Sequence, residues 1–434
     1  MTHRTLRTPA VTLLLTVVMA ALWLMTNVRT ALAAGVVGDG TPGSCTDTAL
    51  QAAIASGPGT ISFSCGANPV TILMTTKVIP AGQNYTIVGG GKVTLDGQET
   101  LQLFIVDGSL VLRDLALAHG AGFDGSVIRI NAGGGVNIFD STISDSGTDA
   151  DRGGAIYNSG SLLLQRTLLI NNESDLQGGA VYNGAGASLA VYGSTFLGNR
   201  VKDPVAGLGD GAGIYNLGTL NVFESTFFAN RAKRSGGAIY TATGSATIVN
   251  ATLAENSADY DAAGDPVVNT GGQGGGIFAG ASAGTSLRNV TIERNNADIA
   301  GGIWNGGNVR MGNTIVANSS VSADNGTPSL NCDGGSVISD GHNLIGDNSC
   351  VTGGDASDLR SVNPMLSFIN PNGGPTDTLL PLIGSPAIDA GDNALCPAQD
   401  QRGVVRPVGS ACDIGAVEWR LIDTGGSFLP IVQK

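Results

Sequence analysis

The residues best placed to do chemistry are three closely set cations, Arg231, Lys233 and Arg234, lying between two acid-bearing segments. One segment, 200–210, carries Asp203 and Asp210; the other, 257–273, carries Asp259, Tyr260, Asp261 and Asp265. Guanidinium and ammonium groups make charge-assisted hydrogen bonds to carboxylates. The trio therefore suits a polysaccharide, acidic or neutral, or a cell-envelope partner. A catalytic alternative uses the same groups. Eliminative cleavage of a uronate needs a base near the C5 proton and a cation against the developing carboxylate charge. Arg231, Lys233 or Arg234 would be base or cation, and Asp259, Asp261 and Asp265 would hold Ca²⁺ through oxygen ligands. Their spacing matches no Ca²⁺ loop, and no other cofactor or metal is expected. The plain alternative is a set of solvated charges on exposed loops. No residue is assigned a catalytic role.

What positions these loops is a repeat. Gly153-Gly-Ala-Ile-Tyr-Asn158 recurs at Gly178, Gly211, Gly236, Gly274 and Ala300 with small changes. A second motif, Thr-apolar-x-x-Asn, alternates with it, ending at Asn171, Asn199, Asn230, Asn256, Asn295 and Asn318, with Ser146 in an earlier copy. Within one unit, Leu220-Asn-Val-Phe, Thr226-Phe-Phe and Ala238-Ile-Tyr are three short β-prone runs. Alternation places Leu220 and Val222 on one face and points Ile239 inward. Each run is too short to bury that face alone, so successive units must stack. The expected fold is all-β: a single-stranded right-handed parallel β-helix of about ten coils, roughly 50 Å long at the usual strand spacing. The recurring Asn residues read as hydrogen-bonded ladders, since an amide both donates and accepts.

Insertions fall at one place in the unit. From the Asn (or Ser146) to the next Gly-Gly motif, the intervening residues number 6, 6, 11, 5, 17 and 4. The 11- and 17-residue segments belong to alternate coils, so their bases should lie about 10 Å apart with Arg231–Ser235 between them. Loops gathered on one edge of a repeat array commonly carry function.

Composition agrees with a turn-rich β chain. There are 66 glycines and only 13% charged residues, while 42% hydrophobic content argues against disorder. A net charge of −13 disfavours nucleic acid and anionic membranes as partners. Arg4 and Arg7, the uncharged run Pro9–Met25 and Ala31-Leu32-Ala33 read as an export leader over 1–33; retained, it would be the membrane anchor. The destination is then secreted or cell-surface. Six cysteines at 45, 65, 332, 350, 396 and 412 form neighbouring couples. Export favours the disulfides Cys45–Cys65, Cys332–Cys350 and Cys396–Cys412, stapling the two ends. The expected parts are an N-terminal cap (34–70), the β-helix (71–345), a disulfide-stapled C-terminal cap (346–420) and a tail (421–434).

The paired Gly236–Ile239 and Phe227–Asn230 motifs, with Phe196–Asn199, resemble the repeats of polymorphic outer membrane proteins, β-helical surface adhesins. Residues 340–418 resemble the choice-of-anchor Q type of secreted bacterial β-helix proteins. The carrying motifs are Gly341-His-Asn-Leu-Ile-Gly346, Asn372-Gly-Gly-Pro-Thr376, Ser385-Pro-Ala-Ile-Asp-Ala-Gly391, Asp400-Gln-Arg-Gly403 and Asp413-Ile-Gly-Ala416 with Glu418. Those resemblances imply a pectin-lyase-like fold and a surface location, with several pectin-degrading enzymes sharing the architecture. The Asp-Asp and Gly-His-Gly signatures of β-helical polygalacturonases are absent. Adhesion, polysaccharide lysis or hydrolysis, and a purely structural envelope role all remain open on these grounds.

The C-terminal block has few repeats and many prolines, and reads as a cap over the last coil. Asp389, Asp400, Arg402, Arg406, Asp413 and Glu418 suit a buried Arg–carboxylate network better than a catalytic cluster. His342 reads as cap structure, and His119 as a turn or surface residue.

Overall fold

A computed structural model describes residues 33–147, 151–202, 207–258, 271–321 and 330–420. The expected leader, apart from Ala33, and the tail lie outside the described residues. The chain winds as a parallel β-helix of about eleven turns, one more than the repeats suggest.

One coil shows why. Thr219–Phe223 forms sheet I, Thr226–Phe228 sheet II, Arg231–Ala232 a short sheet III, and the start of Ile239–Ala254 sheet IV. Each pairs in parallel with its equivalent one coil away: Leu189 with Leu220, Phe196 with Phe227, Ile214 with Tyr240's neighbour Ile239. Leu220, Val222, Phe227 and Ile239 are fully buried, as the alternation requires. They join one apolar core that runs from Val37 to Val351. Burying each such side chain contributes about 2 to 3 kcal/mol. Sheet III, six two-residue strands, is too short to leave a periodic trace in the sequence.

Amide ladders hold the corner between sheets II and III. Asn199 donates from its backbone N–H and Nδ2 to Asn230 Oδ1 at 3.1 and 2.9 Å. Asn230 repeats this to Asn256, and Asn256 to Asn295. The rungs at either end differ by one residue from the motif. Leu168 pairs with Thr195, and Ile315 with Thr291, so Asn172 and Ser319 occupy the rung positions. Asn171 and Asn318 instead take the preceding left-handed position, with φ of 54° and 50°. Asparagine tolerates that conformation, which makes the two neighbours hard to distinguish in sequence. A second amide ladder, Asn158–Asn183–Asn216, closes sheet IV at 2.8 and 2.7 Å.

The Gly-Gly motif has a steric cause. Gly236 sits at φ +67°, where a Cβ would lie 2.7 Å from Tyr240 Cβ. At Gly237 a Cβ would lie 2.3 Å from the Gly275 carbonyl oxygen. The chain turns sharply there to enter sheet IV, and side chains do not fit.

Both ends are closed. Ala33–Val37 and Gly59–Phe63 already pair in parallel within sheet I, so the coils begin inside the region expected to be cap. Helix α1 (Asp47–Ala55), capped by Thr46 accepting from the Ala49 N–H, lays Leu50, Ala53 and Ile54 over the open core. Buried Lys77 pairs with Asp47 of this helix at 2.5 Å. The bonds Cys45–Cys65, Cys332–Cys350 and Cys396–Cys412 are all formed.

The C-terminal block does more than cover the last coil. Residues 361–420 run back along the flank at the corner between sheets I and II. Asn313 Nδ2 donates to the Asp392 carbonyl, Asn289 Nδ2 to the Asp413 carbonyl, and Asn250 Nδ2 to the Gln399 carbonyl. Within this strap, Arg402 pairs with Asp400 and Arg406 with Glu418, each at 2.9 Å. Asp413 accepts from the N–H groups of Asp389 and Trp419. These charges are buried and paired, with only the Arg406 Nε lacking an acceptor among the described residues, the pattern of a structural network.

Candidate functional site

The described ends of the insertions lie along one ridge. Each leaves after sheet III and re-enters at a row of single-residue bridges that includes Asp210, Ser235 and Gln273. In sheet III, Arg231 pairs with Arg200 on one side and Ser257 on the other. The two long segments therefore begin and finish on the coils flanking Arg231–Ser235. A third segment, 322–329, follows Val321 of the same sheet further along. The candidates Asp203, Asp259, Tyr260, Asp261 and Asp265 lie outside the described residues.

Among the described candidates, the structure separates one pair from the rest. Arg234 reaches Asp210 through Nε at 3.0 Å and Nη2 at 2.5 Å, and donates from Nη1 to the Gly207 carbonyl at 2.6 Å. The Asp210 side chain is 1% exposed. Arg234 of the short segment and Asp210 of the segment 200–210 bind each other across one rung. Adjacent bridges bring Asp210 and Ser235 together, and a buried carboxylate demands a cation.

Arg231 is exposed and Lys233 half-buried. Arg231 lines a cleft of about 370 Å³ with Asn171, Glu173, Gly198, Arg200 and Ala229. Glu173 binds Arg200 at 2.7 Å through Nε and 2.5 Å through Nη2, and also contacts Lys202. Lys202 lies 3.6 Å from Asp175 as well. Arg200, Lys202 and Glu173 escape a reading that looks only at the short segment 231–235. Their signal was the Asn199-Arg200 and Asn230-Arg231 juxtaposition at matching repeat positions. Stacked one strand apart, the backbones of the two arginines lie about 4.8 Å from each other. Such a pair suits carboxylates presented in succession.

Beside the ridge, on the outer face of sheet IV, six aromatic rings stack in a column. Tyr157, Tyr182, Tyr215, Tyr240, Phe278 and Trp304 are spaced 5.0, 5.4, 4.9, 4.3 and 6.5 Å apart. Burial pushes the Tyr240 phenol up to about 12, with the Asp210 charge adding to it; burial raises Tyr215 further still. Tyr182 and Tyr215 are only 6% and 7% exposed. Their ring faces cover each other, so this column stiffens the ridge rather than offering a stacking platform.

Residues 102–258 match the family model for a right handed beta helix region. That stretch contains sheet strands on both sides of Arg231. No curated protein and no solved structure matches the chain significantly. The coiled core is thus a right-handed parallel β-helix of the pectin-lyase-like kind. Among the described residues, no helix is long and apolar enough to cross a membrane, and no group of three or more His, Cys, Asp or Glu side chains is arranged to hold a metal.

Proposed function

We propose that this protein is exported and uses the insertion ridge to bind an acidic polysaccharide at the cell surface or outside it. The carrying observation is the pair Arg200 and Arg231, one rung apart in a cleft at the base of the segment 200–210. Successive uronate carboxylates would engage the two guanidiniums. A rigid β-helix presents such groups at a fixed repeat, which lowers the ordering cost of binding a repetitive ligand. Three disulfides favour an oxidising compartment, in keeping with the leader-like N-terminus. The choice-of-anchor Q and polymorphic outer membrane protein resemblances support the same location and an adhesin-like role.

The test is binding of polygalacturonate and alginate, with and without Ca²⁺, to the intact protein and to Arg200→Ala/Arg231→Ala. Loss of two charge-assisted contacts should weaken binding at least tenfold. Equal binding by both proteins would remove the ridge from the account. The same incubations, followed for new unsaturated or reducing ends, decide whether the ridge cleaves what it holds; their appearance would replace adhesion with catalysis.

A further inference from the structure

On the flank away from the ridge, the strap and the β-helix frame an open pocket of about 470 Å³. Its walls on the helix side are Phe223 and Val249 of sheet I, and on the strap side Pro397 and Val405. The hairpin-like turn Gln399–Val405 is pinned to the flank because Gln401 inserts between Thr226 and Thr252. Phe223 is held by stacking on Tyr192 at 4.9 Å. The pocket is thus a built junction between two parts of the chain 150 or so residues apart in sequence.

Two polar groups at its base lack partners. Asn250 is 3% exposed, and its Nδ2 is committed to the Gln399 carbonyl at 2.7 Å. Its Oδ1, buried, accepts no hydrogen bond among the described residues. Glu224 also lines the pocket, and its carboxylate makes no hydrogen bond or ion pair among the described residues. Both sit at left-handed corner positions, φ 54° and 49°, on adjacent coils. Burial, and then the negative charge of Asp400, raises the Glu224 carboxyl above its ordinary range. A half-buried carboxylate and a buried carbonyl-type oxygen, both waiting for donors, sit against apolar walls. A cation rich in N–H groups meets that demand better than a neutral hydroxyl, which supplies only one hydrogen.

We propose that this pocket binds the ammonium group of an alkylamine. The Glu224 carboxylate and Asn250 Oδ1 accept its hydrogen bonds, while Phe223, Val249 and Val405 cover its methylenes. The ligand is either a free amine or the side chain of a polypeptide lysine, which share this chemistry.

Methyl NMR of Val249 and Val405 tests it, with n-butylammonium chloride, Nα-acetyl-lysine methylamide and n-butanol as probes. Saturable shifts with butylammonium, at least tenfold tighter than with butanol, are expected. Glu224→Gln should weaken the amine tenfold or more, and Val405→Trp should block it, both with unchanged thermal melts. Saturable binding of the acetylated lysine as well would point to a polypeptide lysine; its exclusion would point to a free amine. Absence of saturable shifts with either amine, equal affinity for butanol, or undiminished binding by Glu224→Gln would overturn the proposal.

Discussion

Gln401 Oε1 accepts the hydroxyl hydrogen of Thr252 at 2.7 Å, across 149 residues of sequence. Its Nε2 donates to Thr226 Oγ1 and Thr376 Oγ1, each at 2.9 Å. One fully buried amide thus ties the strap to two successive coils. Replacing it by Leu would leave the buried Thr252 hydroxyl without its acceptor and would take a donor from Thr226 and Thr376, which keep the Asp377 and Glu224 carbonyls. Gln401→Leu should destabilise by roughly 2 to 4 kcal/mol. Hydrogen exchange should show protection lost in residues 370–405 before the coils open. Uniform loss across the helix would mean that the strap and coils unfold as one unit.

The core and the amide ladder make separable contributions. Ile239→Asp places an unpaired charge among fully buried side chains and should cost about 4 to 5 kcal/mol or prevent folding. Asn230→Leu breaks bonds on both sides, since Asn230 donates to Asn256 and accepts from Asn199. It also leaves the Phe196 carbonyl without the amide that serves it. A cost of roughly 2 to 4 kcal/mol is expected. Urea denaturation giving parental midpoints for both variants would contradict the burial of Ile239 and the ladder role of Asn230.

The strap should also respond to pH. Burial raises the Asp413 carboxyl to about 6, despite hydrogen bonds from Asp389 and Trp419 that oppose the shift. The unfolded value is 3.8, so the folded state binds the proton more tightly. This group's contribution to stability is therefore fully present below 3.8 and lost as pH rises through about 6. Urea midpoints between pH 4 and 7, compared with those of Asp413→Asn, isolate it from other carboxylates. The parent minus variant difference should fall with rising pH; a flat or rising difference would contradict the assignment.

Removing the Cys45–Cys65 bond tests the N-terminal closure. It spans a 20-residue separation containing helix α1, which covers the first coil. In the chain-entropy account, a loop of this length contributes about 3 kcal/mol. Paired Cys45→Ser and Cys65→Ser substitutions should lower the denaturation midpoint accordingly. Limited proteolysis should cut first near α1. Unaltered cleavage there would show that Leu50 and Lys77–Asp47 hold the cap without the bond.

The Asp210–Arg234 pair predicts an asymmetry between neighbouring cations. Arg234→Ala removes the paired cation from a buried carboxylate and should destabilise by about 3 to 5 kcal/mol. Lys233→Ala, one residue earlier and half-buried, should leave stability within about 0.5 kcal/mol. Equal melting temperatures for the two variants would remove the pair as a structural element.

Much of this was legible in the chain itself. Gly236 and Gly237 are required by local crowding, and Ile239 and Leu220 by alternation over two or three residues. Repetition multiplies those local rules, so the parallel β-helix and the place of the insertions in each coil follow from spacing, whereas the cysteine couples were favoured by clustering together with an oxidising destination. Tertiary structure decided what depends on register or on distant segments. Whether Asn171 or Asn172 forms a rung rests on a one-residue choice that either amide would satisfy locally. The burial of Asp210 against Arg234, the joining of Arg200 to Arg231, and the docking of Gln401 on Thr252 are meetings between coils or across the length of the fold. Spacing encodes which way a side chain points along its own strand; only packing determines which stranger it meets.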